Sequence, residues 1–171
     1  MINSTANKQV RRVANLVKKA RARREEGLYV VEGLRMCREL SPEQVEILYL
    51  SESLTDGFTW EAVADPVMKV MADTQTPQGI LALVRRRDWT LEEILGRPGT
   101  PLLMVLETVQ DPGNLGTILR AGEGAGITGL IMNEGTADIY NPKVIRSTMG
   151  SIYRVPFTYV EDLPGACRQI K

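Results

Sequence analysis

The sequence predicts an α/β protein: a small α/β domain followed by an incomplete, Rossmann-like domain with a parallel sheet. Three observations carry that prediction. Short apolar runs such as Leu28-Tyr-Val-Val31 and Pro101-Leu-Leu-Met-Val-Leu106 alternate with segments whose apolar residues recur at helical spacing. One stretch, from Arg85-Arg-Arg-Asp-Trp-Thr90 to Gly96-Arg-Pro-Gly-Thr-Pro101, gathers charge, glycine and proline as linkers do. Beyond it the alternation starts again and ends after three strands.

The elements follow in order. Between Thr5 and Glu26, the residues Val10, Val13, Ala14, Val17 and Ala20 keep the i, i+3, i+4, i+7 rule, predicting one amphipathic helix with Ser4 or Thr5 as its N-cap and Gly27 as its stop. A strand at Leu28–Val31, a short helix over Leu34–Leu40, a strand at Val45–Leu50, a short helix over Trp60–Ala64 and strands at Val67–Met71 and Gly79–Val84 complete a domain over 1–84. Residues 85–100 read as a linker with a brief helical signal at Leu91–Leu95. The second domain, 101–171, is predicted as a strand over 101–107, a helix from about Leu115, a strand at Ile127–Met132, a helix near Pro142–Met149 and a strand at Ile152–Phe157. The first of these strands is continuously apolar, as suits a strand buried on both faces. Three strands and two helices leave an edge and an apolar face uncovered, so the chain is expected to be a fragment or to complete its core against another molecule.

Composition narrows the chemistry. An apolar fraction of 43% over 171 residues is that of an ordinary globular chain. No stretch approaches the roughly 20 apolar residues that span a bilayer, and the N-terminus lacks the apolar core of a signal peptide; no membrane partner and a cytoplasmic location are expected. Histidine is absent, which removes Ser-His and Cys-His nucleophile arrangements and the usual neutral-pH base. Cys37 and Cys167 are isolated from each other and from any ligand spacing, so they read as reduced core residues and no metal site is expected.

The net charge of zero hides an asymmetry. Residues 1–38 hold ten Lys or Arg against three Glu, leaving an acidic remainder. Lys8, Arg11, Arg12, Lys18, Lys19, Arg21, Arg23 and Arg24 cover much of the first helix, with no carboxylate among them before Glu25. This is either a solvated helix face or an RNA-binding surface, and the scarcity of carboxylates favours RNA. Arg85-Arg-Arg87 reads equally as linker solubility and as a second phosphate contact.

The second domain carries its polar residues at a turn. Asp111-Pro-Gly-Asn114 lies between a strand and a helix, where ligands collect in an open parallel sheet; Pro presets a backbone angle and Asn114 is suited to cap the helix. Gln110, Asp111, Asn114 and Arg120 therefore stand where chemistry is expected. The loop has neither GxGxxG order nor a Walker-type Gly-Lys-Ser/Thr, so dinucleotide and nucleoside-triphosphate readings lack support. Glu107 and Asp111 are not spaced as an acid/base pair. Further along stands a second polar segment, Asp138-Ile-Tyr-Asn-Pro-Lys-Val-Ile-Arg-Ser-Thr-Met-Gly-Ser-Ile-Tyr-Arg-Val-Pro156. Within it, Lys143 and Arg146 could equally be solvent-facing helix residues, and Ser147 and Ser151 more often serve as caps and turn residues than as catalysts.

At this separation, Leu106–Ala121 and Asp138–Pro156 resemble the first two motifs of the SpoU (TrmH) family of RNA ribose 2′-O-methyltransferases, within the SPOUT superfamily. Residues 1–84 resemble the RNA substrate-binding domain that precedes many such catalytic domains, through Asn7-Lys8, Arg23-Arg24, Tyr29-Val-Val-Glu-Gly33 and Thr74-Gln-Thr-Pro-Gln-Gly79. The resemblance implies transfer of a methyl group from S-adenosylmethionine to a ribose 2′-hydroxyl, in a homodimer with its active site at the subunit interface and a cofactor pocket made by a C-terminal trefoil knot. It assigns Asn114 and Arg120 as catalytic and places Lys143, Arg146, Ser147 and Gly150 in the second motif, with Lys143 and Arg146 as RNA contacts. The third motif would lie beyond Lys171, so the knot and most cofactor contacts are expected outside this sequence. Ribosomal RNA is the expected substrate rather than tRNA. The alternative is an RNA-binding module without catalytic activity. Guanidinium is a permanent cation, so Arg120 is expected to lower the hydroxyl's pKa and hold the adjacent phosphate, with Asn114 fixing the loop.

Overall fold

The computed structural model describes residues 1–54 and 61–170, and its backbone contacts divide it into two compact units, Met1–Arg86 and Arg87–Lys171. The first unit runs α1 (Lys8–Lys18), α2 (Ala20–Glu26), β1 (Leu28–Glu32), α3 (Leu34–Arg38), a 3-10 turn at Pro42–Gln44, β2 (Val45–Ser51), a second such turn at Glu52–Leu54, β3 (Glu61–Val63), α4 (Asp65–Met71) and β4 (Ile80–Arg85). Its sheet has the order β1-β4-β2-β3, antiparallel except for the parallel β2–β3 pair. Val10, Val13 and Leu16 of α1 and Val67, Met68 and Met71 of α4 pack with Leu28, Val30, Tyr49, Leu81 and Leu83 into one core. The alternate residues Tyr29, Val31, Ala82 and Val84 are buried too, and α3 also packs on β1 and β4. This is why both strands read as unbroken apolar runs.

Two assignments of strand or helix in this unit are overturned. Val67–Met71 is helix, not strand: Pro66 lies in the first turn, and Val67, Met68 and Met71 are buried while Val70 is half exposed, a one-sided pattern that fits helical spacing. Glu61–Val63 is strand, not helix, because it pairs with Tyr49–Ser51; Trp60 lies outside the described residues. Lengthened by one residue, the Leu28 and Val45 strands otherwise stand as read.

The expected single helix over Thr5–Glu26 is two helices. Asn7, rather than Ser4 or Thr5, caps α1, accepting from the Gln9 N–H at 2.8 Å. The helix then breaks at Lys19, whose backbone is extended, and the Arg23 guanidinium donates to the carbonyls of Leu16 at 2.5 Å and Val17 at 3.0 Å. These hydrogen bonds occupy carbonyl acceptors near the end of α1. Gly27 stops α2 in the left-handed conformation, as its position in the sequence indicated.

The second unit contains α5 (Leu91–Leu95), β5 (Leu103–Leu106), α6 (Pro112–Gly124), β6 (Gly129–Asn133), α7 (Pro142–Thr148), a 3-10 turn at Ser151–Tyr153, β7 (Phe157–Val160) and α8 (Leu163–Ile170). The sheet β5-β6-β7 is wholly parallel, with β6 central and buried. The strand expected at Ile152–Phe157 lies later: Gly150, with φ 95°, and the 3-10 turn occupy that stretch, and β7 starts only after Pro156. Helix α8 carried no strong signal and was not expected.

Two further differences concern exposure and boundaries. β5 is an edge strand whose Val105 is 38% exposed and whose other residues are half-buried, so it is not buried on both faces; Leu102, just before it, is 52% exposed. Residues 87–100, read as linker, are integral to the second unit. The Tyr140 hydroxyl accepts from the Arg87 N–H at 3.0 Å and donates to its carbonyl at 2.8 Å. Thr90 and Glu93 form a capping box on α5, which turns the buried Ile94 against Gly129. No described helix is long and apolar enough to cross a membrane.

Candidate active site

The site grows from the carboxyl end of β5. Two residues after the strand, Thr108 adopts a left-handed backbone, φ 55°, a conformation that costs a non-glycine residue about 1–3 kcal/mol and persists only where neighbours enforce it. Asn133, at the end of β6, does so. Its Oδ1 accepts from the Thr108 N–H at 2.7 Å and its Nδ2 donates to Thr108 Oγ1 at 2.9 Å. Thr136 Oγ1 donates to the same Asn133 Oδ1 at 2.9 Å and accepts from the Val109 N–H at 3.3 Å, while the Ala137 N–H donates to the Val109 carbonyl at 2.9 Å. The loops after β5 and β6 are thereby fastened together. Sequence reasoning missed this network; its trace was the turn-forming Asn133-Glu-Gly-Thr136 after a strand.

Asp111, not Asn114, caps α6. The helix begins at Pro112, and the Asp111 carboxylate accepts from the Asn114 N–H at 2.8 Å. Asn114 therefore does not fix the loop with its side chain. It stands exposed in the first turn, its amide making no hydrogen bond among the described residues. Arg120 is likewise exposed and makes no ion pair or hydrogen bond among them. Six residues apart, the two positions are separated by about 9 Å along the helix axis and about 120° around it. Helical side chains lean toward the N-terminus, which carries the long Arg120 side chain in the direction of Asn114.

Helix α7 supplies the other wall. Asn141 caps it, accepting from the Lys143 N–H at 2.9 Å. α6 and α7 approach closely at Gly116, where a Cβ would sit 2.5 Å from Ser147 Cβ and 2.6 Å from the Val144 carbonyl oxygen. That approach brings Lys143 to the capped turn: a Cβ on Gly113 would lie 3.8 Å from Lys143 Cε. Ser147 is no nucleophile here, since its hydroxyl donates to the Lys143 carbonyl at 2.9 Å. Arg146 is half-buried with contacts of its own, so it faces solvent only in part. The structure thus brings Asn114 and Lys143 to one end of α6, with Arg120 further along the same helix.

The basic arm is partly consumed by the fold. Arg23 is 2% exposed and hydrogen-bonded to backbone, which removes it from the RNA-facing set. Arg12 donates to Glu26 at 2.6 Å and Glu46 at 2.9 Å, and its pKa is raised, chiefly by the hydrogen bond to Glu26. Arg21 pairs with Glu25 at 2.6 Å in full view of solvent, where such a pair is worth little. Lys8, Arg11, Lys18, Lys19 and Arg24 are exposed without ion pairs among the described residues. Cys37 is no reactive thiol: burial, with Glu32 nearby, pushes its pKa up to about 12.

The described residues at the carboxyl end of the second sheet form no enclosed cavity for a whole S-adenosylmethionine. Much of the polar backbone and side-chain capacity there is spent internally, as in the Thr108–Asn133–Thr136 network, and the exposed groups are of both signs: Glu107 and Glu134 beside the strand ends, Arg120 and Lys143 on the helices. A cavity of about 200 Å³, lined by Thr100, Pro101, Thr128 and Pro156, lies at the opposite, amino ends of the strands. What the exposed Arg120 and Lys143 can do is pair with an anionic group such as a phosphate.

A mixed-sheet unit bearing a basic helix, followed by a parallel-sheet unit with its polar turn at the carboxyl end, defines a two-unit α/β protein. Residues 101–171 match the SpoU rRNA Methylase family and residues 7–82 match the MRM3-like substrate binding domain. The chain is 32% identical over 176 residues to the 23S rRNA (guanosine(2553)-2′-O)-methyltransferase RlmP of Bacillus subtilis, covering 95% of this chain and 68% of that protein. It is also 32% identical over 158 residues to the human mitochondrial rRNA methyltransferase 3, covering 84% of this chain and 38% of that protein. Among solved structures, the AdoMet-bound rRNA methyltransferase from Sinorhizobium meliloti superposes with a TM-score of 0.79 at 26% identity, covering 98% of this chain and 67% of that one. The chain belongs to the SpoU rRNA methylase family. It spans about two fifths of the length of the vertebrate mitochondrial relatives it matches first.

Proposed function

We propose that the chain carries the RNA-acceptor half of an enzyme that transfers a methyl group from S-adenosylmethionine to a ribose 2′-hydroxyl of ribosomal RNA. The observation that carries this reading is the Asp111-capped start of α6, which leaves the Asn114 and Arg120 side chains exposed and without partners among the described residues at the ligand-binding end of a parallel sheet. Methyl transfer to a hydroxyl is largely a matter of alignment, with nucleophile and methyl brought to about 3–3.5 Å. Arg120 lowers the hydroxyl's pKa and holds the adjacent phosphate; Lys143 adds a second cation beside the turn. The exposed cations of α1 and α2 hold flanking RNA. Family membership and the AdoMet-bound relative support the donor, and the names of both rRNA methyltransferase relatives support ribosomal RNA.

Incubation of the full-length protein with methyl-labelled S-adenosylmethionine and ribosomal RNA tests the reading. Label in alkali-resistant dinucleotides, the mark of 2′-O-methylation, is the expected result; label confined to bases overturns it. A second reading, RNA binding without catalysis, rests on the exposed cations Lys8, Arg11, Lys18, Lys19 and Arg24, which need no methyl donor to hold RNA. Calorimetric titration of residues 1–171 separates the two, since the leading reading expects no strong S-adenosylmethionine binding to this stretch alone and clear binding to the full-length protein. A full-length protein that binds RNA but not S-adenosylmethionine leaves the second reading. A homodimer belongs to the leading reading, supported by the apolar edge at Leu102 and Val105, and sedimentation of a monomer at micromolar concentration would remove it.

A further inference from the structure

Arg120 needs a fixed place to act, yet nothing among the described residues holds its guanidinium. What is held is its helix. α6 is fixed at two points: Gly116, seated against Val144 and Ser147 of α7, and Glu123, in the last turn. The Glu123 carboxylate accepts from the buried Ser151 hydroxyl at 2.6 Å and from Arg154, whose Nη2 lies at 3.1 Å and whose Nε completes the fork. Arg154 in turn holds the Glu123 pKa below the ordinary carboxylate value. Gly116, Arg120 and Glu123 are spaced four and three residues apart, which sets them along one side of the helix with Arg120 in the middle.

A half-exposed ion pair contributes little to stability, so the Glu123–Arg154 pair is poorly explained as a fold-stabilising device. A bidentate fork is, however, geometrically specific, and it fixes the rotation of whatever carries it. We propose that Glu123, with Arg154 and Ser151, is the positioning residue for Arg120, setting the rotation of the second half of α6 so that the guanidinium meets the ribose. The inference rests on the proposed methyl transfer. Gly116 fixes the distance of α6 from α7, and the fork fixes the angle.

The test is steady-state methyl transfer by the full-length protein at saturating S-adenosylmethionine, with ribosomal RNA varied. Glu123→Ala and Arg154→Ala each lower kcat by about 10- to 100-fold, the scale of a misplacement near 1 Å, while KM for RNA moves less than about threefold. The exchange Glu123→Arg with Arg154→Glu restores at least part of kcat. In an Arg120→Ala background, Glu123→Ala has no further effect on kcat. Equal kcat losses with and without Arg120, a loss confined to KM, or no loss at all overturns the positioning role. An unaltered protein without 2′-O-methyl transfer overturns the proposed function and this inference with it; an active one with an indifferent Glu123 overturns only the inference.

Discussion

The two units treat their charged residues in opposite ways. In the first, the fold consumes part of a conspicuous basic run: Arg23 is drawn inside onto the carbonyls of Leu16 and Val17, and Arg12 is shared between Glu26 and Glu46. In the second, the fold releases residues that the sequence seemed to commit to structure: Asp111 takes the helix cap, and Asn114 is left exposed. A guanidinium near unsatisfied carbonyls becomes structural whatever its neighbours in sequence, and an amide becomes available when another side chain does its local work. Charge density along a chain is therefore a poor guide to charge on a surface, and a turn motif is a better guide to place than to role.

The strongest way to break this contrast is at Arg120. Replacing it with Lys keeps the charge but removes the planar fork, and kcat for methyl transfer is expected to fall by about 100-fold or more, in the range seen for the loss of one transition-state donor. Full turnover in Arg120→Lys would end the role assigned to guanidinium geometry. Next is Arg23. Arg23→Met strips two charge-assisted hydrogen bonds from buried carbonyls and is expected to cost about 2–3 kcal/mol in urea unfolding, with the salt dependence of RNA binding unchanged. A stable Arg23→Met protein with a reduced salt slope would return Arg23 to the RNA-facing set.

Smaller effects sharpen the comparison. Gly116→Ala places a methyl group within 2.6 Å of the Val144 carbonyl oxygen, so α6 and α7 must separate; about 1–3 kcal/mol of stability is expected to go, with a fall in activity. Unchanged melting and turnover would show that the close approach is not needed. Lys19→Ala, at the exposed break between α1 and α2, is expected to leave stability alone and lower the slope of log affinity against log salt by about one. Arg21→Ala should change that slope less, because Glu25 already answers its charge.

How much of this was legible depends on the range of the interaction that decides each feature. The Leu28 and Val45 strands, the stop at Gly27, the short helix at Leu91 and the parallel β-α alternation after Pro101 follow from patterns a few residues long. Val67–Met71 is ambiguous along the chain because a short apolar run suits a strand or a buried helix equally, and only Pro66, in the first turn, marks it as helix. For the candidate site, the turn's position was legible in Asp111-Pro-Gly-Asn114. The Thr108–Asn133–Thr136 network and the Glu123–Ser151–Arg154 fork were not, because each joins residues about 25 or more positions apart.

By itself the sequence determined the fold class, the order of most elements, the family and the turn at which the proposed acceptor chemistry stands, since periodicity, caps and motif spacing are properties of the chain read along its length. Only the tertiary structure decided which arginines face solvent, that β5 is an exposed edge, that Asp111 rather than Asn114 caps α6, and how α6 is held on either side of Arg120. The physical reason is that a hydrogen bond or an ion pair is settled by what lies within about 3–4 Å in space. For Arg23, Asn133 and Glu123, those partners come from elsewhere in the chain.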